Sequence, residues 1–134
     1  NHIGETTKSY QKIKSVVNKN SKSVFQGKIF VDKNAQKTDG YQLSKAILLD
    51  KNAEFDSKPE LEIYADDVKC SHGSSSGNLD ENSIFYLMTR GINKEEAKKI
   101  LIKGFLNDSV ETITNNEIKK FLFEKLDKKL NEYR

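Results

Sequence analysis

Glu60-Leu61-Glu62-Ile63-Tyr64-Ala65-Asp66-Asp67-Val68-Lys69-Cys70-Ser71-His72-Gly73 decides the fold, because it closes an apolar, strand-like first half and sets a thiol and an imidazole just ahead of a helical second half. Extended backbone sends successive side chains to opposite faces, so Leu61, Ile63 and Ala65 share one face and Glu62, Tyr64 and Asp66 the other. That is the pattern of a half-buried strand. After a bend at Asp66-Asp67 the same rule puts Val68, Cys70 and His72 on one face, with sulfur and imidazole two residues apart and able to act on one point. Gly73 and the run Ser74-Ser75-Ser76-Gly77 are then expected to end the strand in a flexible turn.

Working upstream, Phe25, Gly27, Ile29 and Val31 alternate with Gln26, Lys28 and Phe30, which predicts a strand over 23–31. A less regular alternation of Tyr10, Ile13, Val16 and Val17 predicts another over 8–17, with a polar turn from Asn18 to Lys22. Asp32-Lys33-Asn34-Ala35 recurs as Asp50-Lys51-Asn52-Ala53, and the same spacing of 18 relates Phe25 to Leu43 to Leu61. Short strands recurring in register, with no helical period between them, suggest stacked coils of a parallel β-helix. The tetrads would form its corners, where asparagine tolerates left-handed backbone angles. A plain antiparallel sandwich with coincidental spacing is the competing reading.

Downstream of residue 78 the period lengthens from two to about 3.6. Asp80 is placed to cap a helix with the apolar stripe Ile84, Phe85, Leu87 and Met88, stopped by Gly91. Asn93, with Glu96 three residues on, caps a second whose expected buried face is Ala97, Ile100, Leu101, Phe105 and Leu106. Ile118, Leu122, Phe123, Leu126 and Leu130 mark a third over 116–132, lysine-rich on its outer side and given no function.

Composition narrows the function. A chain of 134 residues with 35% hydrophobic and 32% charged residues describes a well-solvated surface, and no apolar run approaches the roughly 20 residues of a membrane helix. Net charge is +3, and only Arg90 and Arg134 are arginine, whereas a nucleic-acid site favours planar guanidinium forks. Neither membrane nor nucleic acid is an expected partner. One cysteine excludes an internal disulfide and fits a reducing compartment. Asn1-His2-Ile3-Gly4 has no initiator Met, basic lead or apolar signal core, so the chain is expected to be a piece of a longer protein.

Thiolate plus imidazole suits iron, iron–sulfur clusters or zinc, so Cys70 and His72 are the candidate metal ligands. Two ligands fall short of the four of a closed site, and His2, the other histidine, stands at the start of the chain. The bland alternative is a core cysteine beside a surface histidine. Nucleophilic catalysis by Cys70 with His72 as base is disfavoured, because neighbouring strand positions give the base a poor approach and no orienting group is evident. Gly73 to Gly77 lacks the lysine of a phosphate-cradling loop and is read as a linker.

Phe25-Gln26-Gly27-Lys28-Ile29, Ala35-Gln36-Lys37-Thr38-Asp39-Gly40-Tyr41-Gln42, Asp56 through Gly73 and Phe85-Tyr86-Leu87-Met88-Thr89-Arg90-Gly91-Ile92 together resemble the C-terminal part of the SufD-type members of the SufB/SufD family, non-ATPase scaffold subunits of SUF iron–sulfur cluster assembly. The resemblance runs in order from about the first residues to Phe105. It implies a mostly β plus α chain: the C-terminal coils of a right-handed parallel β-helix over 1–77, then a small helical domain over 78–134. It also implies a non-enzymatic scaffold that pairs with a SufB-like subunit at the β-helix end and docks a SufC-like ABC-type ATPase through its helices.

By position the resemblance makes His72, then Cys70, the contact with iron or a transient cluster at the SufB interface, with the remaining ligands from SufB and no cofactor stably bound by this segment alone. It makes Tyr86 and Arg90 candidates for SufC docking. A purely structural adaptor with no cluster contact is the alternative. The expected compartment is the cytoplasm, or a plastid-type organelle in a eukaryote. Isolated, the segment is expected to form homodimers through the coil edge meant for SufB, since an uncovered strand edge invites pairing.

Overall fold

The computed structural model describes residues 1–132, so the last two positions of the predicted helical domain lie outside the described residues. The chain divides into two compact units, Asn1–Ser76 and Gly77–Arg134. Five strands run in order, β1 (Lys8–Val17), β2 (Lys22–Val31), β3 (Asp39–Leu48), β4 (Glu54–Ile63) and β5 (Lys69–Asn78). They are followed by three helices, α1 (Glu81–Thr89), α2 (Lys94–Val110) and α3 (Asn116–Glu132).

Successive strands alternate between two open sheets, one ordered β1-β3-β5 and the other β2-β4. Pairing is parallel, with Lys8 opposite Asp39 and Val17 opposite Leu48 in one sheet, and Lys22 opposite Glu54 and Val31 opposite Ile63 in the other. Parallel pairing rules out the antiparallel sandwich. The structural repeat is therefore 31 residues from β1 to β3 and 32 from β2 to β4, not the 18 of the sequence repeat. Eighteen is the step from one corner to the next, across a single strand. Phe25 accordingly stacks on Ser57 rather than on Leu43.

Side chains repeat the register. Tyr10 stacks on Tyr41 with ring centroids 5.0 Å apart, Gln42 Nε2 donates to Gln11 Oε1 at 2.9 Å, and Asn52 Nδ2 donates to Asn20 Oδ1 at 3.0 Å. Between the sheets lies an apolar cluster of Ile29, Val31, Ala35 and Ala65, with Leu61, Val68 and Cys70 packed against it. Beside it the interior is polar, since Thr38, Gln42 and Ser44 are buried. Gly27 provides the room for this. A Cβ there would collide with Gln42 Nε2 and stand 2.7 Å from Phe25 Cζ.

The corners differ from expectation. Positive φ falls at Thr6, Lys19 and Lys37 rather than at Asn34 or Asn52. In each tetrad the aspartate closes the turn instead. Asp32 accepts from Asn34 N at 3.0 Å and Asp50 from Asn52 N at 2.9 Å, while the alanine N–H bonds back to the aspartate carbonyl. Self-capped by carboxylates, these turns need no left-handed asparagine.

The serine-rich run is also not a turn. Gly73 through Gly77 belongs to β5, carried there by pairing with β3 despite poor intrinsic strand propensity. Gly73 leaves space for a neighbour, as its Cβ would sit 3.3 Å from Leu43 Cδ1.

In the helical unit Asp80 caps α1 by accepting from Asn82 N and Ser83 N, and the chain reverses at Gly91 with φ +86. Asn93 caps α2 by accepting from Glu96 N. The buried members are Ile84 in α1 and Ala97, Ile102 and Val110 in α2. Phe85, Met88 and Ile100, expected inside, are 67%, 43% and 42% exposed. The inner face of α2 thus runs through Ala97, Ile102 and Val110 rather than through Ile100. None of the α3 side chains is fully buried.

Candidate functional site

Cys70 and His72 lie near the start of β5, an edge strand of the three-stranded sheet. The placement of β5 on β3 follows from three contacts. Lys69 N donates to Thr38 O at 2.8 Å, joining the beginnings of both strands. A Cβ on Gly40 would stand 3.2 Å from Cys70 Sγ, and one on Gly73 would stand 3.3 Å from Leu43 Cδ1. Both pairs are offset by 30 residues, which only a parallel, in-register pairing produces. Cys70 therefore lies over Gly40, and His72 over Gln42.

Alternation along β5 gives Cys70 and His72 the same face, and the two have different environments. Cys70 is half-buried and packs on the apolar cluster, where the absent Cβ of Gly40 admits its sulfur. His72 is exposed. Among the described residues no group of three or more His, Cys, Asp or Glu could hold a metal ion. The pair is a partial donor set, and a thiolate-and-imidazole edge can complete a site only with ligands from elsewhere.

His2 is a different kind of histidine. It is 6% exposed, with Nδ1 2.7 Å from Thr7 Oγ1 and Nε2 2.8 Å from Ser9 Oγ. Its backbone bridges Val31. Burial holds its pKa below the usual histidine value. With both ring nitrogens engaged by hydroxyls, it is a structural side chain.

Tyr86 and Arg90 lie one turn apart at the end of α1 and bond to each other. Arg90 Nη2 donates to Tyr86 Oη at 3.0 Å, and the guanidinium carbon stands 5.3 Å from the ring centroid. Tyr86 is 56% exposed and lines a shallow, mainly apolar groove with Leu87, Ile100 and Leu101. The exposed Phe85 and Met88 lie on the same helix. On the outer face of β2 and β4, Glu62 accepts from Lys28 and from Tyr64, which holds its carboxyl below the usual range. This exposed network adds little stability.

Sequence reasoning passed over Gln42. It is fully buried, donates to Gln11, and its Oε1 has no hydrogen-bond partner among the described residues. The signal was present as two glutamines 31 residues apart, the true coil length.

Residues 1–105 match the domain family described as "SUF system FeS cluster assembly, SufBD core domain". The iron-sulfur cluster assembly protein SufD of Escherichia coli is 41% identical over 122 residues, covering 91% of this chain and 29% of that protein. SufD of Bacillus subtilis is 33% identical over 129 residues, covering 96% of this chain and 30% of its own length. A chloroplastic protein of Arabidopsis thaliana is 40% identical over 104 residues, covering 78% of this chain and 22% of that protein. The chain thus spans less than a third of the length of these relatives. No helix among the described residues is long and apolar enough to cross a membrane. With a family match over most of its length and these relatives at 33–41% identity, the chain belongs to the SufBD family of the SUF iron–sulfur cluster assembly system and resembles the C-terminal portion of SufD.

Proposed function

We propose that this segment is the C-terminal part of a non-enzymatic scaffold subunit that helps assemble iron–sulfur clusters by presenting His72, with Cys70 beside it, to a SufB-like partner. The observation that carries the proposal is the position of His72: exposed, on an edge strand, two residues from the chain's single thiol. Strands that alternate between two parallel sheets at offsets of 31 and 32 support the finer fold reading, the last coils of a right-handed parallel β-helix. The open edge at β5 would then be the surface that meets SufB. A β-edge brings backbone N–H and C=O groups to a partner strand and aligns side chains at the same time.

The nascent cluster is cargo, shared between two chains. His72 would offer an imidazole nitrogen and Cys70 its sulfur, and the partner would complete the donor set. In the helical unit, Phe85, Tyr86, Met88 and Arg90 offer an aromatic-and-arginine surface suited to docking a SufC-like ATPase. The setting would be cytoplasm or plastid.

Cys70 favours a second reading. Its packing against Ile29, Val31, Ala35 and Ala65 is that of an ordinary core residue, so a purely structural adaptor would hold the same geometry. Iron and sulfide content separates the two. The full-length protein is co-expressed with its SufB-like and SufC-like partners and purified without oxygen, as wild type, His72→Ala and Cys70→Ala. Loss of cluster in His72→Ala with the complex intact supports the scaffold role, and unchanged content in both variants leaves an adaptor.

A further inference from the structure

The interior face of the three-stranded sheet carries a column of side chains, one per coil: Gln11, Gln42 and His72. The first rung is visible. Gln11 and Gln42 are register partners, and the amide of Gln42 donates across the strands to Gln11 Oε1 at 2.9 Å. The second rung follows from the 30-residue offset of the Cys70–Gly40 and Gly73–Leu43 contacts, which places His72 on the strand beside Gln42, about 4.8 Å away along the hydrogen-bonding direction. Gln42 is completely buried and its Oε1 has no hydrogen-bond partner among the described residues. A planar amide that gives its NH2 to β1 holds its carbonyl oxygen away from that strand.

We infer that Gln42 is the positioning residue for His72, accepting a ring N–H through its unpartnered Oε1 when the β5 edge is covered. That role presupposes the His72 contact proposed above. Neutral imidazole carries its proton on one nitrogen only, and the hydrogen bond made there decides which nitrogen keeps the lone pair. An amide oxygen accepts and cannot donate, so it fixes the tautomer and turns the other nitrogen outward toward iron. Metal-binding histidines generally use their second nitrogen in this way. Gly27 belongs to the same device, because any side chain there would displace the Gln42 amide.

The test uses the full-length protein in complex with its partners, with 15N-histidine in this subunit alone, and solid-state nitrogen spectra of the sedimented complex. His72 is identified by its loss in His72→Asn. The wild type is expected to show one neutral tautomer at His72. Gln42→Met, nearly the same size but without the acceptor, is expected to mix the two tautomers and to lower cluster content by about tenfold. Gln42→Glu, which keeps an acceptor, restores both. Should Gln42→Met fail to assemble, Gln42→Asn withdraws the oxygen by one methylene and is expected to give the same mixing. Ring signals of His72 unchanged in an assembled Gln42→Met or Gln42→Asn complex overturn the inference, whatever the cluster content. Cluster content unaffected by His72→Ala overturns the scaffold role instead, and the tautomer comparison still decides Gln42.

Discussion

Gly27→Ala is expected to destabilise the strand unit out of proportion to one methyl group. The added carbon would collide with Gln42 Nε2 and stand 2.7 Å from Phe25 Cζ and 3.2 Å from Gln42 Cδ. Gln42 is buried on all sides, so the clash cannot be relieved by swinging a side chain into solvent. Overpacking of this kind costs about 1–3 kcal/mol, and loss of the Gln42–Gln11 hydrogen bond adds about 1 kcal/mol. Against this, replacing glycine removes backbone freedom from the unfolded chain, worth about 0.4–1 kcal/mol in the opposite direction. The net is a loss of roughly 1–3 kcal/mol, a large part of the roughly 5–15 kcal/mol that holds a typical domain together. Urea unfolding of the full-length protein, followed by a probe in the strand unit, reads it directly. Gln42→Ala removes the obstructing amide, so Gly27→Ala should cost at least about 1 kcal/mol less in that background. A Gly27→Ala variant within about 0.5 kcal/mol of wild type would refute the packing described for this interior.

Three further outcomes are expected. Ile29→Ala, at a site 2% exposed in the centre of the apolar cluster, should cost about 2–5 kcal/mol in the same unfolding assay. Asn93→Ala removes the acceptor for Glu96 N at 2.9 Å and should destabilise the helical unit by about 1 kcal/mol, while Asn93→Ser should recover most of the loss. His2 is held below the ordinary histidine pKa by burial. The unfolded chain therefore takes up that proton first as pH falls. Stability from His2 is complete above the unfolded value near 6.5 and is lost as pH drops through the folded one. Melting temperatures measured downward from about pH 7.5 should fall less steeply in His2→Gln.

Local rules carried much of the fold. The caps Asp80 and Asn93 are legible because a short polar side chain ahead of an apolar run has one good use, and both accept the N–H groups expected of them. The alternation of Phe25, Gly27, Ile29 and Val31 survives as burial in β2. What failed depended on contacts between distant residues. The 18-residue repeat is a true corner-to-corner distance, yet stacking is set by the full circuit of 30 to 32, which includes corners of unequal length. Ser74, Ser75 and Ser76 suggest a turn because serine has no strand preference of its own, and β3 supplies the pairing that overrides it. Phe85 and Met88 follow a helical stripe but remain exposed, since a stripe records an apolar face without saying which neighbour covers it.

For the site, alternation was enough to place Cys70 and His72 together on one face. It could not distinguish the half-buried sulfur from the exposed imidazole, because that difference comes from Gly40 beneath one and the open edge around the other. Gln42 escaped notice because a glutamine between tyrosine and leucine looks like any solvated strand residue. Only the 31-residue register shows that it lies inside.

The most direct measurement is pulsed electron paramagnetic resonance on the reduced cluster of the assembled complex, with 15N-histidine in this subunit alone. A nitrogen coupling that carries the 15N signature in wild type and vanishes in His72→Ala is the expected result. A cluster that forms with no 15N coupling, or whose coupling survives His72→Ala, would contradict the placement of His72 at the assembly site.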